Sequence, residues 1–191
     1  MNWTTVGAAL CALASCQTLS QPPASSPDDH VQRTTLLVGQ RMLKEDSFSP
    51  VEDQLLVAAE YSSVSRESSL GPEVGLTASF DSETVGSVDF DARVLEAYFG
   101  GRFQKLDGPT RPFIGLGGAI TFTELDASSS FGSGSTDDTT FGFYVHGGVS
   151  VSASETLEIV FDVRRRFGSD ADFEGVDVDI DYFTFAVGLS F

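Results

Sequence analysis

Charged side chains in the regular part of the sequence are the groups best able to do chemistry. They recur on one face of segments in which apolar and polar residues alternate. Several carboxylates close to several arginines could form a general acid–base pair, or they could form an ion-pair network that allows charge to be buried. The residues concerned are Glu60, Glu73, Glu96, Arg102, Glu158, Asp162 and Arg164, with Arg41 as a further candidate.

No sequence motif in the chain identifies a reaction. It contains no HExxH zinc motif, no P-loop and no GxSxG nucleophile motif. Both cysteines, Cys11 and Cys16, precede the regular segments, so the rest of the chain has neither a disulfide framework nor a cysteine metal site. We therefore predict no catalytic residue, no metal and no cofactor, and we interpret the seven charged residues as an ion-pair network.

The C-terminal segment shows most clearly which elements position these charges. Its odd-numbered residues are large and apolar, whereas Thr184, Gly188 and their even-numbered neighbours are mostly small or polar. Strict alternation over ten residues predicts a β-strand with one apolar face. A tilted strand of about this length can cross a bilayer. The apolar positions are Phe183, Phe185, Val187, Leu189 and Phe191.

Seven upstream segments alternate in the same way, which makes eight predicted strands in total. The less apolar face carries Gly, Ser, Thr and charges, which suit the interior of a narrow barrel, while the apolar face suits hydrocarbon. Closure with an even number of strands leaves no unpaired edge in lipid. The sequence thus predicts an all-β, eight-stranded antiparallel up-and-down transmembrane β-barrel. The upstream segments are residues 36–43, 55–61, 73–80, 93–104, 113–123, 143–152 and 157–166.

The connections between these strands should alternate between long acidic loops and shorter turns. We expect outer loops at residues 44–53, 81–89, 124–140 and 168–177, and inner turns at residues 62–70, 106–111 and 153–156. In the last hairpin, a centre near Asp172 would pair Phe161 with Phe183 and place Arg165 opposite Asp179 on the outer surface. A bulge would instead turn the acids inward or into solvent.

The N-terminal residues indicate export. Residues 6–14 form a short apolar run that is typical of a signal peptide. The run ends in Leu-Ala-Ser-Cys and resembles the bacterial lipobox, which implies a diacylglycerol on Cys16. An ordinary signal peptide remains the alternative, because residues 1–5 lack Lys and Arg. We predict a signal peptide at 1–15, a flexible Pro- and Ser-rich linker at 16–34 and the barrel at 35–191.

Charge and hydropathy exclude two other classes of protein. The formal net charge is −17, which argues against nucleic-acid binding, because that function needs a basic surface. No apolar run long enough for a transmembrane helix follows the N-terminus.

Four short runs give the chain its resemblance to a known family. Residues 111–118 (RPFIGLGG), 145–149 (VHGGV), 162–166 (DVRRR) and 187–191 (VGLSF) resemble the eight-stranded outer-membrane barrels of the OmpA/OmpX and opacity-porin group. The resemblance implies a bacterial outer-membrane protein that contacts lipid and lipopolysaccharide and is assembled by the barrel-assembly machinery. It also implies ion pairs inside the barrel, and we expect a monomer.

The expected function is a structural or narrow-pore role with a lumen filled by side chains. Surface adhesion or ligand binding through acidic outer loops is the alternative. An enzyme that modifies lipid A is less favoured, because the related deacylase barrel uses a His-x-Ser pair and this chain has Gly148 where that serine would stand. His146 is instead predicted to bond to a lumen carboxylate.

Overall fold

The computed structural model describes residues 29–43, 53–130, 132–168, 170–173, 176–179 and 181–191. Within them the chain forms ten strands and no α-helix, so no described helix is long and apolar enough to cross a membrane. The strands are β1 (His30–Leu43), β2 (Asp53–Ser65), β3 (Leu70–Val85), β4 (Val88–Gln104), β5 (Thr110–Ser129), β6 (Gly132–Ser152), β7 (Glu158–Phe167), β8 (Asp170–Phe173), β9 (Val176–Asp179) and β10 (Tyr182–Ser190).

Eight of these strands close into an antiparallel barrel, which confirms the predicted fold. Each strand pairs with its neighbour in the order β1-β10-β7-β6-β5-β4-β3-β2, and β1 closes the ring against β10 from Thr35↔Ser190 to Leu43↔Tyr182. Backbone bonds between Thr34 and Phe191 continue this seam to the last residue of the chain. β8 and β9 form a separate two-stranded sheet.

The two faces of the barrel wall carry opposite kinds of side chain, as the alternation predicts. On β10, Phe185 points outward and is half exposed, whereas its neighbour Thr184 points inward and is buried. Apolar side chains exposed in this way encircle the barrel, an arrangement that soluble monomers rarely show. They include Leu36, Leu55, Phe80, Leu95, Phe99, Leu116, Phe122, Phe141, Phe143, Phe161 and Phe183.

Glycines on the inner face provide room for the largest lumen side chains. Gly75 pairs with Tyr98, whose ring lies where a side chain at residue 75 would begin. Gly115 pairs with His146, and a Cβ there would overlap the imidazole and the Glu73 carboxylate. These two glycines therefore set the positions of an aromatic ring and an imidazole inside the barrel.

Several predicted boundaries were wrong because strand pairing extends beyond the alternating segments. β1 begins at His30, so residues 30–34 belong to the barrel and not to the linker. Residues 81–89 and 124–140, which were predicted to be outer loops, are mostly paired strand residues of the β3–β4 and β5–β6 hairpins. Backbone pairing continues through them because it does not require apolar side chains. Gly86 has φ 68° at the tip between β3 and β4, a conformation that glycine adopts easily. The turn predicted at 62–70 is confined to residues between Ser65 and Leu70.

The register of the last barrel hairpin was also wrong. β7 pairs with β10 so that Phe183 lies opposite Arg165, while Phe161 lies opposite Val187. The predicted centre of the hairpin, near Asp172, is two residues too early in the sequence. Each residue of β7 therefore pairs with a β10 residue four positions later than predicted. Arg165 does point outward, but its contact in this register is with Asp181, at 4.0 Å. The side chain of Asp179 lies outside the described part.

Candidate functional site

Charged side chains from three strands meet in the middle of the lumen around Glu60. The Nη1 of Arg102 and the Nη2 of Arg164 donate to opposite oxygens of this carboxylate, the latter over 3.3 Å. The Tyr98 hydroxyl donates to the same carboxylate at 2.8 Å. Because Glu60 lies on β2, Arg102 and Tyr98 on β4 and Arg164 on β7, the cluster ties distant parts of the wall together across the lumen.

His146 forms the second part of this cluster. Its Nδ1 lies 2.7 Å from Asp162, and its Nε2 lies 3.0 Å from both oxygens of Glu73. The Tyr144 hydroxyl also donates to Glu73, at 2.7 Å. This confirms the prediction that His146 bonds to a lumen carboxylate. Within the described residues its hydrogen-bond partners are these carboxylates and Arg164, with no hydroxyl in the position of a nucleophile.

A third group of contacts surrounds Glu96 in the outer half of the lumen. The Tyr182 hydroxyl donates to Glu96 Oε2, and the Nε of Arg166 lies 3.4 Å from the same oxygen. Arg164 reaches the other oxygen at 3.8 Å and so connects the two halves of the lumen. Arg166 is fully buried and also donates to the Thr140 hydroxyl at 3.1 Å.

The inner mouth of the barrel is closed by Glu158. Arg33 donates to one of its oxygens at 2.7 Å, and Arg111 donates to the same oxygen. These arginines come from β1 and β5, so the carboxylate on β7 holds two other parts of the rim over the lumen entrance.

Aromatic rings fill the space between the charges. Arg102 stacks over Phe113 at 3.7 Å, and Arg164 stacks over Tyr98 at 3.8 Å. A cavity of about 10 Å³ lies inside the lumen, which is roughly the room that one water molecule needs. The described lumen is thus occupied by side chains across its width.

One group of lumen residues has the donor atoms of a metal site. A ligand atom of each of Glu60, Glu73 and His146 lies within 4.8 Å of the others. Arg102, however, contacts both carboxylates, reaching Glu73 at 4.0 Å. Its guanidinium already supplies the positive charge that a metal ion would bring, so the geometry favours an ion-pair network at this position.

All seven charged residues selected from the sequence point into the lumen and are buried. Arg41 is buried there as well. Sequence reasoning missed Arg166. This residue lies two positions after Arg164 on the same strand and therefore on the same inward face, so the alternation could have identified it. It also missed Arg33, which fell inside the predicted linker, and Arg111, which fell in a predicted turn. Cys16 lies outside the described residues, so its lipidation stays a prediction.

The outer end of the barrel is strongly acidic. Beyond the apolar band, the side chains that the structure describes at this end include ten carboxylates and two arginines, Arg93 and Arg165. Arg93 lies 3.8 Å from Glu124 and 3.7 Å from Asp126. We call this end the acidic rim, with the carboxylates Asp53, Asp81, Glu83, Asp89, Asp91, Glu124, Asp126, Asp137, Asp138 and Asp181.

Solved outer-membrane barrels have the same fold. Neisserial surface protein A is 12% identical with a TM-score of 0.56, covering 84% of this chain and 97% of that one. Ail, the attachment invasion locus protein of Yersinia pestis, is 15% identical with a TM-score of 0.54, covering 83% and 98%. A major outer membrane protein of Thermus thermophilus is 8% identical with a TM-score of 0.58, covering 84% and 99%.

Comparison of the sequence alone identifies no relative. No protein-family model matches the chain, and no curated protein is similar to it in sequence. At these identities the solved structures establish the fold, which is that of the eight-stranded outer-membrane β-barrels.

Proposed function

We propose that this chain, which has the fold of the eight-stranded outer-membrane barrels, is a structural protein of the bacterial outer membrane with a sealed lumen. The observation that carries the proposal is the packing of the lumen, where buried ion pairs and aromatic rings cross from wall to wall. A structural role fits this packing better than a narrow pore does.

The outward face supports residence in a membrane. Large apolar side chains such as Phe99 and Leu116 are about two-thirds exposed, which in water would favour aggregation. In a bilayer the same side chains contact hydrocarbon, and closure of the ring leaves no unpaired strand edge among the barrel strands there. Lipid and lipopolysaccharide are therefore the proposed partners of this surface, and the protein needs no second copy to cover it.

The sealed lumen has three successive barriers. Glu158 with its two arginines closes the inner mouth, the cluster around Glu60 and His146 occupies the middle, and the group around Glu96 follows toward the outer end. An ion crossing the lumen would have to displace ion pairs in each layer, and removing one partner of a buried pair costs about 3–5 kcal/mol.

Conductance in planar bilayers tests the sealed lumen. Refolded protein should give no steady single-channel current, and a variant with residues 82–89 replaced by a short turn should give none either, because the barriers lie below that hairpin. A general porin refolded in the same way is the positive control of the assay and should conduct. Steady current from the unaltered protein would refute the proposal.

We also propose that the protein is not an enzyme. Among the described residues, the hydrogen-bond partners of His146 are Asp162, Glu73 and Arg164, none of which carries a hydroxyl nucleophile. The buried Ser150 hydroxyl accepts a bond from Gln104 at 3.0 Å and donates toward the Arg111 carbonyl. A lipid A deacylation assay with refolded protein should show no product above that of a His146→Asn variant. Product that depends on His146 would overturn this part of the proposal.

Adhesion through the acidic rim is a second candidate function, and the density of carboxylates there favours it. Ail, a similar barrel, has been crystallised with the heparin analogue sucrose octasulfate, a polyanion. An acidic rim repels polyanions, so a partner of this chain would be cationic. Refolded protein in nanodiscs should bind polylysine at low salt, and Asp→Asn changes at Asp89, Asp91, Asp137 and Asp138 should weaken binding. Equal binding by the variant would exclude the rim as the contact.

A further inference from the structure

Arg41 is a buried cation that has no carboxylate partner in the part of the chain that the structure describes. Its side chain is fully buried on the inner face of β1. Nη1 donates to the Ser79 hydroxyl at 2.9 Å, and Nη2 donates to the Thr77 hydroxyl at 2.6 Å and lies 3.5 Å from the Tyr182 hydroxyl. All of these partners are neutral, and among the described residues no carboxylate lies within ion-pair distance of Arg41. Burying a charge in this way is costly unless an opposite charge compensates it.

Hydrogen-bond donors on adjacent strands line a small cavity beside this guanidinium. Arg41, Thr184 and Arg164 are direct neighbours across β1, β10 and β7, because Thr184 pairs with Arg41 on one side and Arg164 on the other. The Nε of Arg41 and the Oγ1 of Thr184 have no hydrogen-bond partner within the described chain, and the Nη1 of Arg164 has only its ion pair with Glu96, at 3.8 Å. All three residues line the lumen cavity of about 10 Å³, together with Thr77 and Asp162.

The charges that line the cavity point to the sign of the missing partner. Two arginines, Arg41 and Arg164, line it together with one carboxylate, Asp162, which leaves one positive charge there. Asp162 lies 2.7 Å from the Nδ1 of His146, and the carboxylates that Arg164 contacts are Glu60 and Glu96. Arg41 is therefore the cation whose charge is left without a partner among the described residues.

We propose that the cavity between Arg41, Thr184 and Arg164 binds one halide ion, chloride under ordinary conditions. A halide there would accept hydrogen bonds from the Arg41 and Thr184 donors, lie beside the Arg164 guanidinium and neutralise the charge of Arg41. The cavity has room for a single small occupant, so sulfate and phosphate are too large. Water would satisfy the donors but would leave the charge of Arg41 uncompensated.

Crystals of the refolded protein grown in sodium bromide provide the direct test. The expected result is an anomalous difference peak for bromide between the Arg41 Nε and the Thr184 Oγ1. Density for water alone at this position, without an anomalous peak, would overturn the proposal. This measurement uses the unaltered protein and does not depend on whether a variant folds.

Unfolding in detergent micelles provides the second test. A ligand that binds only the folded state raises the unfolding midpoint in proportion to the logarithm of its concentration above Kd. The midpoint should rise with sodium bromide relative to sodium gluconate at equal ionic strength. Arg41→Met should abolish the rise, and Thr184→Val should weaken apparent halide affinity by about tenfold, the loss expected for one hydrogen bond to a charged group.

The matched control is Thr123→Val. Thr123 is a buried lumen threonine whose hydroxyl also has no hydrogen-bond partner among the described residues, yet it does not line the cavity. Its halide response should equal that of the unaltered protein. Equal midpoints in bromide and gluconate for the unaltered protein would contradict the proposal, as would a halide response that survives Arg41→Met.

Discussion

Glu60 and Arg102 form a buried ion pair between two strands that are not neighbours in the barrel. The two residues are 42 positions apart in the sequence. Glu60 points inward from β2 and Arg102 points inward from β4, with β3 between them. Arg164 reaches the same carboxylate from β7. This one carboxylate therefore holds three parts of the barrel wall against one another.

Replacing Glu60 with Ala should destabilise the barrel by about 3–5 kcal/mol, because Arg102 and Arg164 would lose a buried counter-charge. Urea unfolding of refolded protein in micelles measures this change in the free energy of unfolding. The control is Arg93→Gln, which removes a half-exposed cation of the acidic rim and should cost about 0–1 kcal/mol. Equal effects of the two changes would show that the lumen pair does not stabilise the fold.

Gly115→Ala should impair folding, because the added Cβ would overlap His146 and the Glu73 carboxylate. We expect a loss of about 1–3 kcal/mol, typical of an overpacked core. Gly134→Ala is the matched control, since a Cβ at that position meets nothing within 4 Å. The refolding yield and the urea midpoint are measured for both variants. An unchanged midpoint for Gly115→Ala would mean that the lumen around His146 is loosely packed.

The outward contact between Arg165 and Asp181 should contribute little to stability. The two side chains are 4.0 Å apart and that of Arg165 is 55% exposed, so we expect about 0–1 kcal/mol from their interaction. A double-mutant cycle with Arg165→Ala and Asp181→Asn measures it. A coupling well above that range would indicate that the pair is shielded from water.

Cys16→Ala should block processing and leave a larger precursor, because lipidation precedes cleavage at a lipobox. Pulse labelling followed by gel electrophoresis of the membrane fraction detects the precursor. Cys11→Ala, a change within the apolar run, should mature normally. Normal maturation of Cys16→Ala would show that an ordinary signal peptidase cleaves this chain.

Which face each side chain occupies could be predicted from the sequence, because a strand repeats every two residues. That rule is enough to place Glu96 and Arg164 in the lumen and Phe161 in the outer wall. The alternation does not predict where a strand ends, because polar residues such as Asp137 and Thr139 continue the pairing of β5 with β6 as well as apolar residues do.

The contacts inside the lumen could not be predicted, because they depend on the relative shift of every pair of strands. The shift of four positions between predicted and observed pairing of β7 and β10 changes which residue faces Arg165. A contact between non-neighbouring strands, such as Glu60 with Arg164, depends on the registers of all the strand pairs that lie between them. Alternation carries no information on those shifts.

Cell fractionation combined with gel mobility tests the central claim, that this chain is a closed barrel of the outer membrane. The folded protein should sediment with outer membranes, and its unheated sample should migrate faster than the boiled one, because a closed barrel resists detergent unfolding. Deleting Phe191, whose backbone pairs with Thr34 at the seam, should reduce the amount of the fast form. Recovery of the unaltered protein from the soluble periplasm, with one mobility before and after boiling, would contradict the claim.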